Sequence, residues 1–267
     1  MMGTRCTGRS RNLVLVYDIG CFIPARKGSE RVKNKNLRPL GGVPLVEIAI
    51  LQALTLFDPK QVYLSTDSDE IYEYTTKYGL GNLPKRPARF SRADSPDIQW
   101  VLHAIESLGD LKPRGFMILR PTNPFRSAKM LHDAVDAFEQ NINRFDSLRA
   151  VQACSEHPAK MWKIAGDGKT LLPILPFMSL DGTPWHSQPY QSLPEIYVQN
   201  ASLEIALTGR ILETKSIAGA TIQAFLTSNV EGFDINSEID FVAAEVLLKN
   251  SSRELENSVI YRFLNGS

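Results

Sequence analysis

Five short apolar or β-branched runs, at 13–23, 61–66, 115–120, 148–154 and 196–206, alternate along this chain with stretches of helical periodicity at 44–57, 68–79, 97–108, 127–140 and 237–249. Two strands joined through a helix lie side by side in parallel, so the alternation predicts an α/β fold: a mostly parallel sheet flanked by helices. The last helical stretch carries its own start signal, Ser237 followed by Asp240 ahead of FVAAEVLL, a capping-box pattern. Between 157 and 195 the pattern dissolves into a segment containing Pro158, Pro173, Pro176, Pro184, Pro189 and Pro194, which reads as a small protruding arm. The boundaries predicted are a leader over 1–12, one domain over 13–250 with the arm inserted at 157–195, and a tail over 251–267 that is a short final helix or frayed.

Composition narrows the function classes. With 43% hydrophobic residues and 30 Lys plus Arg against 29 Asp plus Glu, the chain of 267 residues is globular, not disordered. A net charge of +1 argues against a dedicated nucleic-acid binder, and no stretch approaches the ~20 apolar residues of a membrane span. Arg5, Arg9 and Arg11 ahead of LVLVY imitate a signal peptide, yet the apolar run stops at Asp18 with no small-residue cleavage site before the next motif. Cys6, Cys21 and Cys154 are odd in number and far apart, without CxxC spacing, so neither a disulfide framework nor a zinc knuckle is expected. A cytoplasmic setting is the expectation.

The average charge hides a local concentration. From Arg26 to Arg38 there are six basic residues (Arg26, Lys27, Arg31, Lys33, Lys35 and Arg38) and a single acid, Glu30. This loop follows a strand, and Gly28-Ser29 can turn successive backbone N–H groups inward; with flanking cations, that makes a concave nest for a polyphosphate. A solvated basic loop or a nucleic-acid patch has the same composition. The loop matches neither a Walker A sequence nor a GxGxxG fingerprint.

The segment IPARKGSERVKNKNL (23–37) resembles the signature of the acylneuraminate cytidylyltransferases, which activate acidic nine-carbon and eight-carbon sugars. The resemblance continues in order through STDSDEI (65–71), KRPARFSRADS (85–95), LRPTNPFR (119–126), EHPAKMWKI (156–164), LPEIYVQNASLEI (193–205) and EGFDINSEID (231–240). It implies a Rossmann-like nucleotidyltransferase fold, a homodimer toward whose partner site the 157–195 arm reaches, and transfer of CMP from CTP to the anomeric hydroxyl of an α-keto acid sugar with release of pyrophosphate.

Position by position, the resemblance assigns Arg26 to gripping the triphosphate and neutralising the α-phosphate. Lys35 falls to the phosphates and Asn36 to the nucleotide, with Ala25, Gly28 and Ser29 adding backbone and hydroxyl contacts. Arg86 would read the cytosine edge, as a donor to N3 and O2. Mg²⁺ is expected, because nucleotidyl transfer builds charge on phosphate oxygens that a hard cation stabilises. The family's D-x-D-like element reads Asp234-Ile235-Asn236 here, so Asp234 is the better ligand and Asn236 replaces the second carboxylate. Asp240 is read as a helix cap. No evident general base stands in these motifs, which leaves Asp234 or a metal-bound hydroxide to take the proton.

For the sugar, the resemblance points to Arg120, Lys160, Asn200 and Glu204. Arg120 stands where sialate-using members usually hold glutamine, Tyr190 and Val198 where arginines are frequent, and Glu204 where tyrosine is common. One cation gained and two lost relocate the partner of the sugar's anion, so a nonulosonic acid of the legionaminate or pseudaminate kind is expected over N-acetylneuraminate. The alternatives are a same-fold nucleotidyltransferase for another sugar or nucleotide, and a catalytically silent nucleotide-binding homologue.

Overall fold

The computed structural model describes residues 18–28, 32–228, 230–250 and 253–266. In chain order these hold β1 (Ile19–Pro24), β2 (Pro39–Leu40), β3 (Val43–Pro44), α1 (Leu45–Leu54), β4 (Val62–Ser65), α2 (Asp69–Lys77) and α3 (Asp97–Leu108). Then follow β5 (Gly115–Ile118), α4 (Ala128–Gln140), β6 (Ser147–Ala153), β7 (Trp162–Ile164), β8 (Leu171–Pro173), β9 (Tyr197–Leu207), α5 (Thr208–Thr214), β10 (Ile222–Leu226), α6 (Glu238–Lys249) and α7 (Val259–Leu264).

Six strands form one sheet in the order β10-β6-β9-β5-β1-β4, in which β9 runs antiparallel to both neighbours and the other pairings are parallel. From β1 the chain crosses to β4 on one side and later returns to β5 on the other. That reversal is a topological switch point, where the loops leaving the C-terminal strand ends part and open a crevice. The small β2–β3 hairpin closes through Gly41-Gly42 at φ of +60° and +87°, the double left-handed turn that glycine adopts without strain.

The inner strand β1 is buried on both faces, and its side chains divide between two cores. Cys21 and Ile23 pack with α1, α2 and α4 through Ala49, Ile71 and Leu131, whereas Phe22 packs with α3 and α5 through Trp100 and Ile211. A third core joins α6 and α7 to the outer face of α1, with Phe241 and Ile260 against Leu45 and Ile48. This explains why α1 is apolar nearly all round: it is covered by the sheet on one side and by the C-terminal helices on the other.

All five expected helices form, and α6 starts at the expected capping box, Ser237 with Asp240. The expected strands form as well, the first beginning at Ile19; residues 13–17, like the leader over 1–12, lie outside the described residues. The tail resolves into α7, with Leu255 and Ile260 fully buried, so the folded unit continues past residue 250. Sequence patterning did not reveal β10 or α5: β10 is an edge strand with no buried side chain, and α5 is seven residues long without a side-chain cap. The 157–195 segment holds the β7–β8 hairpin and short 3-10 turns. Among the described residues, no helix is long and apolar enough to cross a membrane.

Candidate active site

The loops leaving β1, β4 and β5 meet on one rim of the sheet. Ala25 N donates to Ser65 O at 2.9 Å, binding the first loop to the second, and Lys27 N donates to Asp67 Oδ1 at 2.6 Å. Gly28 takes φ +74°, a conformation that suits the expected N–H nest; Ser29 lies outside the described residues. Asn36 Nδ2 donates to Arg26 O at 3.0 Å, folding the basic loop back on itself, and Arg26 Nη1 donates to Ser91 O at 3.3 Å. Lys35 is buried, and its Nζ donates to Ile235 O at 2.8 Å, which ties the basic loop to the Asp234-Ile235-Asn236 segment.

Arg26, Lys35, Asn36, Arg86, Asp97 and Arg120 line one cavity of about 360 Å³. Four cations face it with one carboxylate, Asp97, so its field favours a polyanion. A smaller cavity of about 170 Å³ shares Arg26, Lys35 and Asn36 and reaches Gly28 and Ser68 at the start of α2. Arg86 is held rigidly: Nη2 and Nε donate to Ser65 O and Oγ at 2.9 and 3.0 Å, and its Cζ lies 5.1 Å from the centre of the Trp100 ring. Burial pushes its guanidinium down to about 10.

A third cavity, of about 690 Å³, brings together Arg120, Gln152, Asn200, Glu204 and Asp234. Arg120 is common to this cavity and to the 360 Å³ one. Its Nη2 donates to Asp97 Oδ2 at 2.8 Å and to Glu204 Oε1 at 2.7 Å. The other oxygen of Glu204 is paired with Arg149, which stands directly opposite it in the β6–β9 ladder. Glu204 is buried with both oxygens occupied by arginines, so its side chain holds Arg120 in place, a different placement from the direct sugar contact expected for it.

Asn200 is likewise engaged: Nδ2 donates to Gln152 Oε1 and Thr227 Oγ1 at 3.0 and 2.8 Å, and Oδ1 accepts from Ser202 N at 3.2 Å. It shapes the cavity wall. Lys160 lines none of these cavities; its Nζ donates to His186 O and Gln188 O at 2.8 and 2.6 Å and ties the 157–195 segment to itself.

At the other wall, Ile235 N donates to Thr122 O at 2.9 Å and Asn123 Nδ2 to Phe233 O at 2.9 Å, fixing the segment that carries Asp234. Asn236 Nδ2 donates to Asp234 Oδ2 at 2.6 Å, while Asp234 Oδ1 is buried with no hydrogen-bond partner. Asp240 Oδ2 accepts from Asn236 N, Ser237 N and Ser237 Oγ at 2.9, 2.7 and 2.9 Å, the cap expected of it. Burial works to raise its carboxyl, but these donors outweigh it and hold the group below the usual range.

Sequence reasoning missed Asp97, Arg149 and Arg126. Arg126 is fully buried and binds Ser202 O, Gln52 Oε1, Asn123 O and Arg120 O at 2.5, 2.7, 2.8 and 2.9 Å. It supports the loop carrying Arg120.

Residues 21–157 match the family model described as Cytidylyltransferase. The chain is 29% identical over 243 residues to the post-translational flagellin modification protein B of Campylobacter coli, covering 90% of this chain and 99% of that protein. It is 31% identical over 242 residues to the CMP-N,N'-diacetyllegionaminic acid synthase of Campylobacter jejuni, covering 88% and 97%. To the N-acylneuraminate cytidylyltransferase of Escherichia coli it is 27% identical, with 87% of this chain aligned to 52% of that protein. Among solved structures, a CMP:2-keto-3-deoxy-manno-octonic acid synthetase complexed with CTP superposes with a TM-score of 0.61 at 13% identity, covering 88% of this chain and 99% of that one, a shared fold.

Proposed function

Because the chain belongs to the cytidylyltransferase family, we propose that it transfers CMP from CTP to the anomeric hydroxyl of an acidic α-keto acid sugar of the nonulosonic class, releasing pyrophosphate. The observation that carries this reading is the pair of adjoining cavities with Arg120 on both: a cationic one of about 360 Å³ for the triphosphate and base, and one of about 690 Å³ for the acceptor.

In the reaction the anomeric oxygen forms a bond to the α-phosphorus. The bond from that phosphorus to the bridging oxygen breaks, its electron pair leaves with pyrophosphate, and the hydroxyl proton passes to Asp234 or to solvent. Arg26 and Lys35 neutralise the charge that accumulates on the phosphate oxygens, and the Asn36 bond to Arg26 O keeps the loop in register with them. Arg86, rigid on Ser65 and Trp100, donates to N3 and O2 of cytosine and meets a donor at N3 in uracil, which favours CTP over UTP. Gly28, at φ +74°, gives the loop its phosphate-facing turn.

The residues present fit Mg²⁺. The buried Oδ1 of Asp234, without a hydrogen-bond partner, is a hard oxygen of the kind Mg²⁺ takes, and Mg²⁺ is usually held by one or two carboxylates plus substrate phosphates and water. Asp234, with the amide of Asn236 beside it, would hold the ion; when bound it supplies positive charge to the triphosphate and the leaving pyrophosphate.

Arg120, held by Asp97 and Glu204 on the wall of both cavities, meets the acceptor's carboxylate. We take an N,N'-diacetyllegionaminate-like acid as the acceptor, on the strength of the Campylobacter jejuni relative matched over 97% of its length and of the Arg120 and Glu204 pair. A homodimer is part of this reading, supported by the exposed apolar side chains Ile164, Leu171, Leu172, Phe177 and Met178 of the 157–195 segment, which suit a second copy. Cytoplasmic residence goes with CTP as substrate and with the free thiols of Cys21 and Cys154. The test is pyrophosphate release from CTP, UTP, ATP and GTP against N-acetylneuraminate, N,N'-diacetyllegionaminate and pseudaminate, with and without Mg²⁺. Release confined to CTP, dependent on Mg²⁺ and highest with the legionaminate is expected; release only with N-acetylneuraminate overturns the acceptor assignment.

A further inference from the structure

Asp97, the first residue of α3, stands between the two halves of the site. Its Oδ1 accepts from the indole Nε1 of Trp100 at 2.8 Å, and its Oδ2 accepts from Arg120 Nη2 at 2.8 Å. Trp100 is buried and carries the Arg86 guanidinium over its ring. Arg120 continues through the same Nη2 to Glu204, which is locked by Arg149. One line of contacts therefore runs Arg86, Trp100, Asp97, Arg120, Glu204, Arg149, from the base-reading side to the acceptor cavity.

The chemistry of Arg120 gives this line a consequence. Nη2 is engaged by two carboxylates, and among the described residues no protein group accepts from Nε or Nη1. Both two-bond faces of a guanidinium use Nη2, so Nε and Nη1 remain as separate charge-assisted donors whose directions follow the angle of the guanidinium plane. Asp97 sets that angle from one side and Glu204 from the other. The Asp97 side chain is 45% exposed and lies in the wall of the nucleotide cavity, so in the free protein water weakens its hold on Arg120. A nucleotide filling that cavity expels the water, and the Asp97–Arg120 pair strengthens as the local dielectric falls.

We infer that Asp97 is a positioning residue that couples nucleotide recognition to acceptor recognition, by tightening on Arg120 when the base is seated and aiming its remaining N–H donors at the acceptor's carboxylate. The inference rests on the reading that Arg86 meets cytosine and Arg120 meets the acid. Linkage makes the coupling reciprocal: acid bound on Arg120 raises nucleotide affinity by the same factor.

The experiment uses the full-length protein with Mg²⁺ and measures N,N'-diacetyllegionaminate binding by calorimetry with and without α,β-methylene-CTP, whose Pα–C bond cannot be cleaved. The parent protein is expected to bind the acid about fivefold or more tightly when the analogue is present. In Asp97→Asn that factor falls below about twofold. Trp100→Phe, which keeps the ring under Arg86 but removes the Nε1 donor, lowers it as well. A purely structural lesion weakens both ligands and leaves their ratio intact, so an unchanged factor in both variants overturns the coupling. An Arg120→Ala variant that binds the acid as tightly as the parent overturns instead the assignment on which the inference stands.

Discussion

Asn236 donates its side-chain amide to Asp234 Oδ2 at 2.6 Å and leaves Oδ1 of the same carboxylate buried and unpartnered. An unsatisfied carboxylate oxygen costs free energy that a bound cation removes. Asp234→Asn is therefore expected to lower kcat for pyrophosphate release by about 100-fold or more. Its thermal stability in chelator should match or exceed that of the parent, and the stabilisation that Mg²⁺ with CTP gives the parent should disappear. A thermal-shift titration with Mg²⁺ reads both.

Asn236→Asp removes that donor and sets a second carboxylate beside the first. In chelator the variant loses a hydrogen bond to a charged group and gains repulsion, and a stability loss of about 2 kcal/mol is expected by urea denaturation. Mg²⁺ reverses the sign: the variant gains more stability than the parent per increment of metal.

Arg126 has no carboxylate among its hydrogen-bond partners, and burial pushes its guanidinium down to about 9. Arg126→Met takes the donor from Ser202 O and Gln52 Oε1 in the interior, while Asn123 O keeps Gln52 Nε2 and Arg120 O keeps Asn123 N. A loss of about 3 kcal/mol or more in urea denaturation is expected. Because Arg126 also holds Arg120 O, the fraction that stays folded should show a raised KM for the acid.

How much of this was legible beforehand follows from where each residue finds its partners. The strands at 61–66 and 115–120 and the helix at 97–108 were readable because burial against the sheet imposes periodicity on sequence. The capping box of Ser237 and Asp240 was readable because both partners lie within four residues. Arg26, Lys35 and Asn36 were readable as one loop. Asp97, Arg149 and Arg126 were not, since the pairings with Arg120, Glu204 and Ser202 that place them in the site span 23, 55 and 76 residues, and only the fold brings these together. Glu204 was picked out by position, but the two arginines that occupy it come from β6 and from the loop after β5, and neither is near it in sequence.

The Asp240 cap gives a pH dependence with a definite sign. Its folded-state carboxyl is held below the ordinary value, so its contribution to stability is present above the unfolded pKa of about 3.9 and is lost as pH falls through the depressed folded value. Asp240→Ala is expected to cost about 1 kcal/mol at pH 7. In thermal melts run from pH 7 downward, the gap between parent and variant should stay constant to about pH 5 and close below pH 4.

Gly232 carries a steric constraint on the acceptor wall. A Cβ there would lie 1.9 Å from Gln152 Oε1 and 2.6 Å from Asn200 Nδ2, both lining the acceptor cavity. Gly232→Ala should displace the Gln152–Asn200 pair and raise the acceptor KM about tenfold, with the CTP KM moving less than twofold. Steady-state kinetics with each substrate varied in turn distinguishes the two.

The most direct measurement is pyrophosphate release by the parent and Arg26→Ala proteins in Mg²⁺ with CTP and N,N'-diacetyllegionaminate. The parent should turn over with CTP and release little pyrophosphate from UTP, ATP or GTP, and Arg26→Ala should lose about 100-fold or more in kcat. No release by the parent with any of the three acids, or a kcat in Arg26→Ala close to the parent's, would contradict the account.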